Sequence, residues 1–368
     1  MRDSGGESMD GYDHLVRMYE LHPVGAPKNP LFDDILRILF TPEEANVTRA
    51  MSFTLKRADR IAADAGIDMK ETRRHLDNMT EKLILFSKDK EDGQYYSLLP
   101  LLPGIYEFPF MGGGGTPAHD KLAKLWDRYY QKGLGQSFGG SKTPLARVIS
   151  VERSIPMNID IHPYEKVSWV IEEADFLSVG KCSCRIIHKR CDHSLETCLI
   201  FGDFGRFLTK REVSREITRE EAFDILNRCE GEGLIHTTNN AREKIPYICN
   251  CCACCCLVLQ GITRLKNPNA VARSGYVARV DRDMCSGCET CMEERCKVGA
   301  VSMDEGTAVV DPERCIGCGL CVSGCPEHAV ELVRRSDFRE PPSTGIELVR
   351  EVAREKGLLG TLPELYIR

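Results

Sequence analysis

Apolar positions in the first hundred residues recur at helical spacing in short stretches, and the pattern predicts helix, helix, helix and hairpin between Leu31 and about Pro109. Thr41-Pro42-Glu43-Glu44 joins an N-cap hydroxyl, a proline at the first helical position and a glutamate at the third, which is a capping-box start. A second short helix carries Ile61 and Ala62 and stops near Gly66. A third opens at Asp68, has Glu71 three residues on, and sets Thr72, Leu76, Met79 and Leu83 on one face. Residues 83–87 and 95–99 flank a turn at Asp92-Gly93 and read as a two-stranded hairpin. Before them, residues 1–30, with Pro23, Pro27 and Pro30, read as a flexible lead-in.

The glycine run at 112–115, followed by Thr116-Pro117, predicts a linker and the first domain boundary. Beyond it, residues 121–133, 163–177 and 218–228 have amphipathic helical spacing, so the middle region, 117–277, is expected to be mainly helical. Val167, Val170, Ile171 and Ala174 share a face of the second helix; Thr218 and Glu221 form the cap of the third, and Gly233 stops it. The apolar face of that third helix ends at Cys229, which reads as a buried thiol and not as a ligand. A tail over 335–368 holds a last helix at 344–356, with Ile346, Val349 and Val352 apolar. By the order and length of its elements, the segment 31–110 resembles a winged-helix domain.

Composition then locates the chemistry. The chain has 19 cysteines in 368 residues, none before Cys182 or after Cys325, which puts the reactive groups in the second half. No signal peptide is legible at the N-terminus, and no stretch approaches the roughly 18 apolar residues of a membrane span, so the expectation is a metal protein of a reducing cytoplasm, not a disulfide framework. The net charge of −6 is mild. Residues 31–100 carry eleven Lys/Arg against thirteen Asp/Glu. Lys70, Arg73, Arg74, His75 and Lys82 on the third helix are therefore offset by Asp68, Glu71, Asp77 and Glu81, and the segment reads as a protein contact more than a DNA contact. No phosphate-binding glycine loop is present.

An internal repeat then appears, with Val280-Asp281-Arg282-Asp283-Met284-Cys285 answered by Val310-Asp311-Pro312-Glu313-Arg314-Cys315. Cys315, Cys318, Cys321 and Cys325-Pro326 make a CxxCxxCxxxCP run, in which glycines let one loop deliver three thiolates to a cubane. Residues 278–334 thus resemble a bacterial-type dicluster ferredoxin. The resemblance implies two [4Fe-4S] clusters, cluster I on Cys285, Cys288, Cys291 and Cys325 and cluster II on Cys315, Cys318, Cys321 and Cys296, each run lending its fourth cysteine to the other cluster. The first run departs from the pattern: four residues separate Cys291 from Cys296, and Lys297 stands where proline is usual.

Ten further cysteines form a second field: Cys182, Cys184, Cys191 and Cys198 in one set, and Cys249, Cys251, Cys252, Cys254, Cys255 and Cys256 in the other. The economical reading is a third [4Fe-4S] cluster with ligands from both sets, although ten thiols suffice for two; structural zinc or a redox-active dithiol are its rivals. Lys181 and Arg185 are placed to offset cluster charge, and His188 and His193 read as loop residues. From residue 31 to 333 the chain resembles ferredoxin-type proteins of anaerobes that combine such an N-terminal domain with KCxCR and CNCCxCCC elements and a dicluster module. The expected fold is α+β, with winged-helix-like, helical cysteine-rich and ferredoxin domains in order. The expected function is electron transfer to or from a partner protein or complex, as a homo- or hetero-oligomer. Its rivals are a reductase with a substrate-facing site in 182–256 and a cluster-controlled DNA-binding regulator.

Overall fold

The computed structural model describes residues 10–159 and 161–366, so positions 1–9 of the expected lead-in lie outside the described residues. The chain divides into two units. Among the described residues, one comprises 10–110, 114–137 and 357–366, and the other 111–113, 138–159 and 161–356.

In the first unit, residues expected to be flexible form the helix Gly11–Leu21, capped by Asp10 and burying His14, Leu15, Met18 and Tyr19. That i, i+1, i+4, i+5 stripe orders the segment, and the prolines follow it. Helices Pro30–Leu39, Pro42–Thr48, Ala58–Ala65 and Met69–Glu81 come next, with the reciprocal Thr41/Glu44 capping box, left-handed Gly66 and the Asp68 cap all present. Strands β1 (Lys56–Arg57), β2 (Leu85–Lys90) and β3 (Gly93–Leu98) form an antiparallel sheet in the order β1-β3-β2. Helix Pro117–Tyr129 belongs to this unit and not to the cysteine-rich region. Its Trp126 meets Tyr106 edge-on at 5.2 Å and its Tyr129 stacks on Phe32 at 5.4 Å. The chain's end returns here too, with the Phe53 amide donating to Leu365 and Arg17 paired with Glu364 at 2.9 Å.

The second unit corrects the expectation of a mainly helical middle region. Strands β4 (Ala146–Val148), β5 (Leu177–Lys181), β6 (Glu196–Phe201), β7 (Ser214–Glu216), β8 (Ile235–Asn239) and β9 (Tyr247–Cys251) make a six-stranded antiparallel sheet in the order β4-β8-β9-β6-β5-β7. Apart from the edge strand β7, the strands are short and largely buried, so they lack the alternation that marks a half-exposed strand. The segment 163–177 shows the consequence. A single 3₁₀ turn, Pro163–Glu165, leads to the helix Val167–Glu173, and Leu177 already opens β5. One face of the sheet, with Val179, Leu199, Phe201 and Ile248, packs on Val170, Ile171, Ile225, Leu226 and fully buried Cys229. The other, with Val148, Ile235 and Cys251, shares one core with Tyr276, Cys291, Cys315 and Leu332, so the boundary expected at 278 does not divide the packing.

The repeat folds as two interleaved halves. Strand β10 (Tyr276–Val280) pairs with β13 (Val330–Arg334), and β11 (Val301–Asp304) with β12 (Thr307–Val310), so each cysteine run is bracketed by one strand of each ribbon. The tail helix Gly345–Glu355, capped by Thr344, reaches the loop before β4 through Glu355, whose carboxylate accepts from the amide and hydroxyl of Thr143. Among the described residues no helix is long and apolar enough to cross a membrane.

Candidate metal centres

The eight cysteines of the repeat surround two cavities. One is lined by Cys285, Cys288, Cys291 and Cys325; the other by Cys296, Cys315, Cys318 and Cys321. Each cavity thus takes three thiols from one run and the fourth from the other. Backbone amides point at the sulfurs: Ala300 donates to Cys296 Sγ at 3.1 Å, Ala329 to Cys325 Sγ at 3.3 Å and Ala308 to Cys285 Sγ at 3.5 Å. The first two are the same Cys-x-x-x-Ala contact in the two halves, and amide donors to sulfur favour thiolate ligands. The donor set therefore fits [4Fe-4S] clusters.

The extra residue of the first run is absorbed without moving Cys296. Residues Cys291–Arg295 form one wide turn in which the Cys296 amide donates to the Cys291 carbonyl at 3.0 Å, a five-residue closure, where the second run has the ordinary helical turn Leu320–Ser323. Arg295, carried by that turn, donates to Leu320 O at 3.0 Å, Glu230 O at 3.1 Å and Gly231 O at 3.3 Å, which ties both halves to the helix Arg219–Gly231. Lys297, in the place of proline, caps the turn by donating to Glu294 O.

The two cavities differ in wetness. Cys288 is exposed, and the amide and hydroxyl of Thr290 hold its thiol below the usual range. On the other side burial pushes Cys318 up to about 12 and raises Cys321 as well. Burial thus favours the neutral thiol there in the absence of a cation. Ile235, Ala278 and Arg295 cover that site.

The second field separates into two groups of thiols, and each draws on both cysteine sets. The first is a closed circuit in which every thiol interacts with two others: Cys182 with Cys184 and Cys198, Cys249 with Cys198 and Cys251, Cys256 with Cys184 and Cys251. Sheet register builds it. Gly180 faces Cys198, Cys198 faces Cys249, and the period-two strand puts Cys251 on the same face, where it lies opposite Ile235. A register shift at Gly180/Lys181 turns Cys182 toward the row, and Cys184 and Cys256 enter from the starts of the helices Ser183–His188 and Leu257–Thr263. The second group is Cys191, Cys252, Cys254 and Cys255, whose sulfurs all lie within 4.8 Å of one another.

Between the two groups stands Arg185, buried, donating to Ser194 O at 2.8 Å, Thr197 Oγ1 at 2.7 Å and Asn250 O at 2.7 Å. Thiols of both groups, led by Cys182 and then Cys252, raise its pKa against the opposing effect of burial. Neither His188 nor His193 joins the quartet, and His193 Nδ1 lies 3.4 Å from Glu232. Sequence reasoning misses Thr237, 3.3 Å from Cys251 Sγ, and the His236–Asn250 pair at 2.5 Å, because no local motif marks a cross-strand neighbour. Cys229 is a core residue as expected, its thiol pushed up to about 12 by burial.

Residues 308–331 match the 4Fe-4S binding domain family. The chain is similar to the electron transport protein HydN of Escherichia coli K12 (32% identical over 99 residues, 25% of this chain and 57% of the relative). It is also similar to the pyruvate synthase subunit PorD of Methanocaldococcus jannaschii (38% over 56 residues, 15% and 64%) and to the thiosulfate reductase electron transfer subunit PhsB of Salmonella typhi (34% over 97 residues, 23% and 50%). In each case the chain spans less than two thirds of the relative. No solved structure matches. These relatives are named as an electron transport protein, a pyruvate synthase subunit and a thiosulfate reductase electron transfer subunit, and this chain carries a ferredoxin-type 4Fe-4S domain match at 308–331.

Proposed function

We propose that the chain is an iron–sulfur electron carrier that serves a partner oxidoreductase. Cys285, Cys288, Cys291 and Cys325 hold cluster I, Cys315, Cys318, Cys321 and Cys296 hold cluster II, and the circuit of six thiols holds a third cluster. The observation that carries this reading is the closure of each ferredoxin cavity by three thiols of one run and one of the other. Such clusters, when bound, take up and release single electrons.

The chain's own residues supply the rest. Exposed Cys288 marks a face where a partner can approach, while Ile235, Ala278 and Arg295 keep water from the inner site. Ile235 lines that site and lies opposite Cys251 of the six-thiol circuit, which makes it a direct protein link between the ferredoxin clusters and the second field. Partners are redox subunits, in keeping with the names of the similar proteins.

The helices and hairpin of residues 31–110 serve in this proposal as a winged-helix-like protein-contact module. Two cations of the helix Met69–Glu81 and its C-cap are engaged within the fold, Arg73 with Asp77 at 3.3 Å and Lys82 with Glu44 at 2.6 Å, which supports protein over DNA as the partner. The deciding measurement is anaerobic iron and acid-labile sulfide with EPR of the reduced chain. About eight irons with matching sulfide establish the ferredoxin pair, about twelve add the third cluster, and a chain without inorganic sulfide refutes the proposal. Retardation of DNA by the full chain at physiological salt would overturn the assignment of the first module.

A further inference from the structure

We infer that Cys191, Cys252, Cys254 and Cys255 form a mononuclear, four-thiolate zinc site, separate from every iron–sulfur cluster of the chain. Such a site goes beyond the electron-carrier reading and does not depend on it.

Sulfur–sulfur distances set the size of the group. Cys191 Sγ lies 3.7 Å from both Cys252 Sγ and Cys255 Sγ, Cys254 Sγ lies 3.8 Å from Cys255 Sγ, and no pair in the quartet exceeds 4.8 Å. Four sulfurs bonded at about 2.3 Å to one tetrahedral ion have edges of about 3.8 Å. Four sulfurs on the corners of a [4Fe-4S] cubane are pushed apart to about 6 Å, because the iron and sulfide core lies between them. The quartet is therefore of the size of one ion and too small for a cubane.

The same chain supplies the contrast. Among the described residues, the quartet is the one group of three or more metal-binding side chains drawn within 4.8 Å. The thiols around the ferredoxin cavities do not close up in this way, and neither do the six of the circuit. Two sizes of thiol cage coexist, and the small one suits a single soft ion.

The chemistry of the surroundings agrees. Four protein sulfurs leave no open position, the mark of a structural and not a catalytic site. Cys252 and Cys255 stand in CxxC spacing on one short turn, and Cys191 arrives from the other cysteine set, so an ion here pins residues 182–198 to 249–256. Four thiolates on a divalent ion leave two negative charges. Arg185 reaches Cys252 electrostatically, and Arg190 donates to Cys254 O at 3.3 Å and Gln260 Oε1 at 2.6 Å, while Gln260 Nε2 donates to Cys255 O at 2.8 Å. Such outer contacts orient ligands and tune the metal. Zinc has no redox chemistry, so the site is a clamp that shapes the six-thiol circuit and is not a further step in electron flow.

The test uses the full chain, purified anaerobically from cells grown with both zinc and iron. The expected result is about one zinc per chain, with zinc-edge X-ray absorption showing four sulfur neighbours at about 2.3 Å. In Cys191→Ser and Cys254→Ser, both at half-buried positions, zinc should fall at least tenfold while iron, sulfide and the EPR of the ferredoxin clusters stay unchanged. Absence of zinc, oxygen or nitrogen neighbours around it, or loss of iron in place of zinc in the variants overturns the inference. The absorption measurement needs no variant, so a misfolded mutant does not blunt the test. Loss of inorganic sulfide would sink the electron-carrier reading and leave the zinc site standing.

Discussion

Gly317, between Cys315 and Cys318, is where the smallest substitution should do the most damage. Its φ is +69°, and a Cβ there would sit 2.1 Å from Tyr276 O and 2.2 Å from Ser274 Oγ. Ser150 and Ser274 both donate to its carbonyl, at 2.6 and 2.8 Å, so the loop cannot swing aside without breaking buried hydrogen bonds. Two costs therefore add in Gly317→Ala. A left-handed backbone at a non-glycine residue costs about 1 kcal/mol. Opening a contact with β10 by about 1 Å is overpacking, for another 1–3 kcal/mol or so. The sum is about 2–4 kcal/mol. Gly306→Ala isolates the first cost, since Gly306 has φ +78° and nothing within 4 Å of its Cβ position. The assay is anaerobic guanidinium titration of both variants, followed by cluster absorbance. Gly317→Ala should bleach at clearly lower denaturant than Gly306→Ala and shed cluster II iron on purification. Equal midpoints would refute the steric argument and with it the packing of this loop on β10.

Three further outcomes follow from the geometry. If the fourth ligands are exchanged, Cys285→Ser and Cys325→Ser act on one cluster, so their double variant should lose about four irons, no more than either alone, whereas Cys315→Ser with Cys325→Ser should lose about eight, read by iron analysis and EPR. Arg185→Gln removes a buried guanidinium with three hydrogen bonds and should cost about 3–5 kcal/mol in chemical denaturation, with iron beyond the first eight lost as well; unchanged stability would show that the guanidinium does not bridge the two thiol groups. Burial raises the carboxyl of Glu107 from 4.5 to about 8, against the opposing bond from the Gly104 amide at 2.8 Å. The folded state thus holds this proton more tightly. The stabilisation is complete below pH 4.5 and is lost as pH rises through 8, so stability of the first unit should fall over that window and Glu107→Gln should flatten the fall. Trp126 fluorescence in a Trp169→Phe background reports that unit alone.

Much of the first unit is legible because its signals are local. The Thr41/Glu44 box, the Asp68 cap and the Gly66 stop each act within one turn of chain, and all three appear where the sequence puts them. The helix Gly11–Leu21 escapes such a reading because the three prolines after it mimic a linker and mask the stripe that buries His14, Leu15, Met18 and Tyr19. The sheet of the second unit escapes it for a different reason. Strands buried on both faces carry no alternation, and five residues such as Leu177–Lys181 read equally as the end of a helix.

In the repeat, the grouping of three thiols per loop is written into the spacing of the cysteines, because a CxxCxxC loop bends three sulfurs toward one point whatever surrounds it; the exchange of the fourth cysteines is implied by the ferredoxin resemblance alone, and the structure gathers those eight cysteines around two cavities. How the other ten divide is a property of the folded chain alone. Adjacent cysteines in CNCCACCC point in different directions, and which neighbour each one meets is set by strand register: Cys249 by pairing with Cys198, Cys251 by lying opposite Ile235, and Cys252, Cys254 and Cys255 by turning away beyond the end of β9 toward Cys191. Register is a relation between strands far apart in the chain, so no reading of one segment contains it.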